Sequence, residues 1–179
     1  MKELGFKQIT PENWQEPDIP RTLPKVTEEI WIRDHLKPQL ISGVPNEVRG
    51  LFEVARAAII YGWYFYPLLT LGSDQLFRTL EAAAYHCCLK HDIPVEFTDK
   101  NGEKRPFYYD VQVKRLVEMG IIPAEERSRW EGARRLRNSA SHPKWQSIFN
   151  PSTSLSMLTL VAEDINRLFD GKKRNLAKS

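Results

Sequence analysis

The sequence predicts an all-α protein, an up-and-down bundle of four or five helices behind an extended, proline-rich N-terminal arm. Three observations lead there. Apolar residues recur at three- and four-residue steps through most of residues 46–171. Only PVEFTDKNGEKRPFYY, residues 94–109, loses that helical period. Before residue 46, six prolines (Pro11, Pro17, Pro20, Pro24, Pro38 and Pro45) interrupt helices among apolar anchors such as Trp14 and Trp31.

Within the arm, TEEIWIRDHL (27–36) reads as a short helix started by Thr27. Asn46 is expected to cap the first long helix, with Val48, Leu51, Phe52, Ala55, Ile59 and Trp63 on its apolar face. Ser73 is the expected cap of the second, where Leu76, Leu80, Ala83, Ala84 and Cys87 form a stripe and Pro94 is the stop. Asn101-Gly102 suits a tight turn in a small hairpin. Asp110 starts a short third helix, with Val113, Leu116 and Val117 inward and Gly120 at its end. Pro123, Glu125 and Glu126 open a fourth, running through RSRWEGARRLRNSAS. Ser152 or Ser154 is expected to cap a fifth, with Leu155, Leu158, Val161, Ile165, Leu168 and Phe169 on one face and Gly171 as terminator.

A chain of 179 residues suits one domain, divided as an arm at 1–45, a bundle at 46–171 and a basic tail at 172–179. With 41% hydrophobic and 27% charged residues, composition argues for a folded globular chain rather than a disordered or fibrous one. The formal charge of +3 is too small to demand a polyanionic partner, so a nucleic-acid case must rest on where the arginines cluster. Cys87 and Cys88 are neighbours, and a trans peptide holds their Cα atoms about 3.8 Å apart, too close for an ordinary disulfide. Without a cysteine framework or an apolar leader in MKELGFKQITPENW, the expected location is the cytoplasm. The uncharged run AAIIYGWYFYPLLTLG (57–72) is shorter than the about 20 apolar residues a spanning helix needs, and Gly62 and Pro67 interrupt it. It reads as a buried or dimer-facing helix, and no membrane partner is expected.

The chemically suggestive stretch is RNSASHP, residues 137–143. On a helix Asn138 and His142 share a face, and Arg137, one position round, is long enough to bend toward them. Pro143 pushes His142 out of helical angles, while Ser139, Ala140 and Ser141 leave room around it. An imidazole that titrates near neutrality moves protons, and a guanidinium holds phosphate oxygens, a kit for phosphodiester chemistry that calls for neither metal nor cofactor. The helix carbonyls favour imidazolium and Arg137 opposes it, so the direction of any shift stays open. A plainer account also stands: arginine and histidine at a helix C-terminus complement the dipole.

The motif closes a helix in the second half of a short helical chain, after RTLEAAAYH and VKRLVEMGIIPAEE and before a long amphipathic last helix. In that order and position it resembles the HEPN family, whose signature is an arginine, often followed by Asn, Asp or His, with a histidine a few residues later. The match reads Arg137, Asn138, Ser139, Ala140, Ser141, His142, and the resemblance covers roughly residues 46–170, leaving the arm outside. It implies a homodimer that brings both motifs to one cleft, and a metal-independent ribonuclease of the kind found in defence, toxin and RNA-processing systems. It further implies that His142 moves a proton while the RNA 2′-hydroxyl attacks its own phosphate, leaving a 2′,3′-cyclic phosphate. Arg137 would stabilise the developing charge, Asn138 would orient the pair or the phosphate, and the second copy would supply the complementary proton-transfer group. RNA, a second copy, and an antitoxin or other partner protein are the partners implied. Other members of the family have lost catalysis, so a module binding a nucleotide, an RNA or a protein is the alternative.

Helix four carries Arg127, Arg129, Arg134, Arg135 and Arg137, and Lys144 adds to the same end; Arg134, Arg135 and Lys144 are the expected RNA contacts. A solvated face with an Arg127–Glu131 pair is the plainer reading. Glu81, on the second helix, is a candidate supporting residue with Arg78, although an ion pair between the two would explain them as well. Trp130 shares a stripe with Ala133 and Ala140 and is expected in the core, and Trp145 is a candidate for base stacking. HCCLKH (86–91) matches no usual zinc spacing and reads as buried cysteine on a core helix. His35 has nothing around it in the sequence to argue for catalysis. Phosphate loops, nucleophile elbows and paired carboxylates find no match, which leaves ATPase, serine-hydrolase and glycosidase readings without support.

Overall fold

The structure, a computed structural model, describes residues 7–18, 26–132 and 150–171. Those residues are mostly helical, in the order α1 (Glu28–Leu36), α2 (Asn46–Tyr61), α3 (Leu68–Lys90), β1 (Glu96–Thr98), β2 (Lys104–Pro106), α4 (Tyr109–Glu118), α5 (helical over 127–132) and α6 (Pro151–Phe169). Among the described residues no helix is long and apolar enough to cross a membrane.

Local chemistry explains most boundaries, and several differ from the sequence reading. Thr27 caps α1 as expected, its hydroxyl accepting from the Ile30 N–H at 3.3 Å. Asn46 caps nothing: it is already the first helical residue of α2, with Pro45 before it and no side-chain cap. The uncharged run is not one helix, because α2 ends at Tyr61 and α3 begins at Leu68. Pro67 precedes α3 with φ of −58°, a torsion already suited to a helix, so α3 starts ahead of Ser73 and encloses it as a buried residue. At the other end of the chain Asn150, rather than Ser152 or Ser154, caps α6 by accepting from the Thr153 N–H at 2.8 Å. Pro151 then takes the first helical position, where its missing N–H costs nothing.

The hairpin forms where the helical period lapses, with Thr98 opposite Lys104 and Glu96 opposite Pro106. Asp99 organises its turn by accepting from the N–H groups of Asn101 and Glu103, and Gly102 supplies a φ of +82°. Gly120, at φ +69°, follows α4 in the left-handed conformation expected of a helix stop. Pro123 leads into a 3-10 turn, Ala124–Glu126, that continues into α5.

Helix α3 is the element on which α2, α4 and α6 pack. Phe52 and Ile59 of α2, Leu76 of α3, Leu116 of α4, and Leu158 and Ile165 of α6 are wholly buried in one core. The proline-rich stretch joins that core through Trp31, Leu40 and Val44. Its backbone is held by side chains: Asn166 donates to the Gln39 carbonyl at 2.8 Å and accepts from the Ile41 N–H at 2.9 Å, and Arg49 donates to the Leu40 carbonyl at 3.1 Å. Asp18, further upstream, accepts from the Tyr66 N–H at 2.9 Å.

The α2–α3 crossing depends on Gly72, where a Cβ would lie 2.5 Å from Ile59 Cγ1 and 2.9 Å from the Ala55 carbonyl oxygen. A helix backbone cannot yield as a side chain can. Gly72→Ala is therefore expected to lose about 1 kcal/mol or more, the overpacking cost exceeding the about 1 kcal/mol helix-propensity gain. Gly50→Ala, whose Cβ meets nothing within 4 Å, should instead gain about 0.5–1 kcal/mol. Urea unfolding of both variants checks the contrast.

Candidate functional site

Arg137, Asn138 and His142, the RNA-contact candidates Arg134, Arg135 and Lys144, and Trp145 all lie outside the described residues. Upstream of them in the chain, the described residues of α5 and of the turn before it take part in an ionic cluster. Arg129 reaches Glu126 at 2.8 Å and Asp164 of α6 at 2.8 Å. Arg167 reaches Glu126 at 2.7 Å and also pairs with Asp164. Two carboxylates and two guanidiniums thus alternate around a closed ring that joins α5 to α6.

Asp164 has its place in that ring because of its register. It follows Val161 by three positions and precedes Leu168 by four, which puts it on the buried stripe of α6. Its side chain is only 5% exposed. Burial pushes its carboxyl above the ordinary range, and Arg129 and then Arg167 pull it back. Beside the ring, Trp130 is buried in the core as its stripe requires, and the Tyr109 hydroxyl donates to the Trp130 carbonyl at 3.2 Å. Burial raises the Tyr109 phenol strongly, and the carboxylates of Glu81, Asp164 and Glu131 raise it further.

Of the two supporting candidates, Glu81 is half-buried on α3 with its charge acting on Tyr109, the first residue of α4. Arg78 is exposed, and its charge acts on Asp74. The two described arginines of α5 are committed to carboxylates, Arg127 to Glu131 at 2.7 Å and Arg129 to Glu126 and Asp164. Next to the ionic ring is a cleft of about 510 Å³ that Lys90, His91, Glu126, Trp130, Asp164 and Arg167 help to line.

Cys87 and Cys88 are both buried, and burial pushes their thiols up to about 12 and about 11. The Cys87 thiol donates to the Leu168 carbonyl at 3.8 Å. Among the described residues no cluster of three or more His, Cys, Asp or Glu side chains is placed to hold a metal ion.

The sequence reading passed over Asp164, Glu126, Arg129 and Arg167 as a group. One signal was available: a lone acid on an apolar stripe, which needs a cation from another element. His35 was passed over too, although it lies one helical turn after Trp31 and is 1% exposed.

No protein-family model, curated protein or solved structure matches the chain.

Two outcomes follow from this geometry. Arg129→Met removes one of the two cations holding Asp164, so its folded carboxyl rises further above the unfolded value and keeps its proton to higher pH. Stability is lost as pH rises through that value, so the variant's deficit should grow from about pH 4 to about pH 7. Because Arg129 is 34% exposed and screened, the deficit at neutrality is expected at about 1–2 kcal/mol. Denaturation at the two pH values reads it, and an equal deficit at both would contradict the assignment. Secondly, neither cysteine should react with a thiol reagent near pH 8 in the folded protein, and both should react once urea unfolds it.

Proposed function

We propose that the chain is a HEPN-type, metal-independent endoribonuclease that acts as a homodimer in the cytoplasm, as a toxin or defence effector answering to an antitoxin or other partner protein. Its architecture is read as the up-and-down helical bundle of that family, preceded by an N-terminal arm. The observation that carries the proposal is the run Arg137, Asn138, Ser139, Ala140, Ser141, His142, Pro143 directly downstream of α5. Supporting it, the start of α5 is tied to α6 through Arg129 and Asp164 at 2.8 Å, a firm base for residues that must meet a phosphate with accuracy.

In this reading RNA supplies both nucleophile and electrophile. The ribose 2′-hydroxyl loses its proton to a general base and attacks the adjacent phosphorus. The 5′-oxygen leaves with a proton from a general acid, and the products are a 2′,3′-cyclic phosphate and a 5′-hydroxyl end. His142 takes one of those proton transfers and the second copy of the chain supplies the other. Arg137 neutralises charge gathering on the non-bridging oxygens, Asn138 orients the phosphate, and Arg134, Arg135 and Lys144 hold the flanking backbone.

The test is incubation of the purified protein with RNA in EDTA, alongside His142→Ala and Arg137→Ala, with product ends identified by mass spectrometry. The parent should leave 2′,3′-cyclic phosphate ends, and each substitution should slow cleavage by about 10²-fold or more. RNA binding without cleavage would move the chain to the non-catalytic, binding form of the same family. Cleavage undiminished in the His142→Ala protein would overturn the assignment of that residue.

A further inference from the structure

Helix α2 carries two apolar stripes. Val48, Phe52, Ala55 and Ile59 form the first and are wholly buried in the core. Gly50, Val54, Ala57 and Tyr61 form the second, at alternating steps of four and three, and all of them are exposed. Val54 is 59% exposed and Tyr61 60%. Leu71 of α3, also 59% exposed, extends this side. The two helices run antiparallel, Gly62 meeting Leu69 and Gly72 meeting Ala55, and Leu71 precedes Gly72 as Val54 precedes Ala55. One position back on each helix therefore points to the same side of the pair. Half-buried Leu51, Ala58 and Leu68 lie between the stripe and the crossing. A helix that is apolar on two sides calls for cover on both, and the core supplies it on one.

The charge around this face narrows what can cover it. From Ala57 to Gly72 there is no Asp, Glu, Lys or Arg. The arginines of α2 are turned away, Arg49 donating to the Leu40 carbonyl and Arg56 buried against the Pro38 carbonyl. Arg78 lies two turns beyond Leu71, and its charge acts on Asp74. Without a cationic rim the face suits neither a nucleic acid nor an acidic lipid surface. The charge that the stripe does carry is Glu47, seven residues before Val54, and Tyr61 stands seven residues after it. An acceptor and a donor placed evenly about one apolar residue are complementary to the same helix reversed.

We infer that this face is an isologous interface between two copies of the chain, with antiparallel α2 helices packed about a two-fold axis at Val54. The axis sets Val54 against the partner's Val54 and Gly50 against the partner's Ala57 and Ala58. The Glu47 carboxylate accepts from the hydroxyl of the partner's Tyr61, a charge-assisted bond at each rim. Gly50, with open space where a Cβ would stand, and Ala57 let the helices approach to about 8 Å. The face leaves on the order of 500 Å² of largely apolar surface in water, the upper end of what a monomer exposes. Counted on both copies that is about 1,000 Å², the size at which specific interfaces begin. The inference deepens, and to that extent rests on, the homodimer of the proposed function.

The experiment is sedimentation equilibrium of the full chain from about 1 to 500 µM, the span that a contact of this size requires, alongside Val54→Lys and Tyr61→Phe. The parent should dimerise with Kd of about 1–100 µM. Val54→Lys sets two ammonium groups against each other on the axis and should weaken the dimer by about 100-fold or more. Tyr61→Phe should weaken it about tenfold, since two hydrogen bonds are lost per dimer. Val54→Cys, under mild oxidation, should cross-link to its own copy faster than Met119→Cys, a position as exposed but off this face. Cys87 and Cys88 are buried and do not compete, and this variant keeps the test decisive even where Val54→Lys unfolds. A parent still monomeric at about 500 µM, or a dimer that Val54→Lys leaves intact, would overturn this surface. An intact Val54→Lys dimer would leave the ribonuclease reading standing. A dimer broken by Val54→Lys in a chain that cleaves no RNA would uphold the surface and sink that reading.

Discussion

A carboxylate placed on the buried face of a helix has to be met by positive charge, and Asp164 sets that requirement for the second half of this molecule. Desolvating such an ion costs several kcal/mol unless well-placed partners offset it. Arg129 and Arg167 meet it, and Glu126 closes the ring by taking the remaining faces of both guanidiniums. Apolar packing alone would let α5 slide or rotate over α6, whereas ion pairs between fixed positions admit one register. Trp130 in the core and its carbonyl bonded to Tyr109 add a second constraint on the same few residues. The position of α5 is therefore specified by polar geometry laid over a hydrophobic contact.

The first half of the molecule is organised differently. There the close approach of α2 and α3 at Gly72 is apolar, and the polar work is done by long side chains that reach back to hold an irregular segment. Arg49 and Asn166 satisfy the Leu40 and Gln39 carbonyls of that segment, and the Trp31 indole ties α1 to the Ile60 carbonyl in the last turn of α2. That is how a stretch broken by prolines contributes Trp31, Leu40 and Val44 to a helical core. Satisfaction is not complete: among the described residues His35 Nε2, the Trp63 indole N–H, Arg56 Nε and Ser73 Oγ are buried without a hydrogen-bond partner, at a desolvation cost of about 1–3 kcal/mol each.

The helical character, the hairpin at Asn101-Gly102, the Thr27 cap and the burial of Trp130 and of both cysteines were legible in the sequence, because each depends on near neighbours or on period. Caps were less so. Asn46, Ser73, Ser152 and Ser154 are all good capping residues, yet Pro45, Pro67 and Asn150 sit at those boundaries, since a proline's preset torsion or an earlier asparagine decides where the first turn closes. Least legible was the Asp164 ring. It joins residues far apart in the chain, Glu126 with Arg167 and Arg129 with Asp164, and no local pattern encodes which distant side chain will answer a buried polar group. The motif at Arg137, Asn138 and His142 was read from the chain alone, and the structure bears on its flanks rather than on it.

Those flanks are informative in their own right. On one side Arg129, near the start of α5, has its guanidinium fixed to Asp164 at 2.8 Å. On the other side Asn150 caps α6, its side chain accepting from the Thr153 N–H, and its successor, Pro151, has its torsion set by its ring. Both anchor points belong to or bear on α6, a helix whose 19 residues span about 28 Å and which packs along α3. The described residues on either side of 133–149 therefore bear on one common element, α6, and are held to it by an ion pair on one side and by a capped first turn on the other.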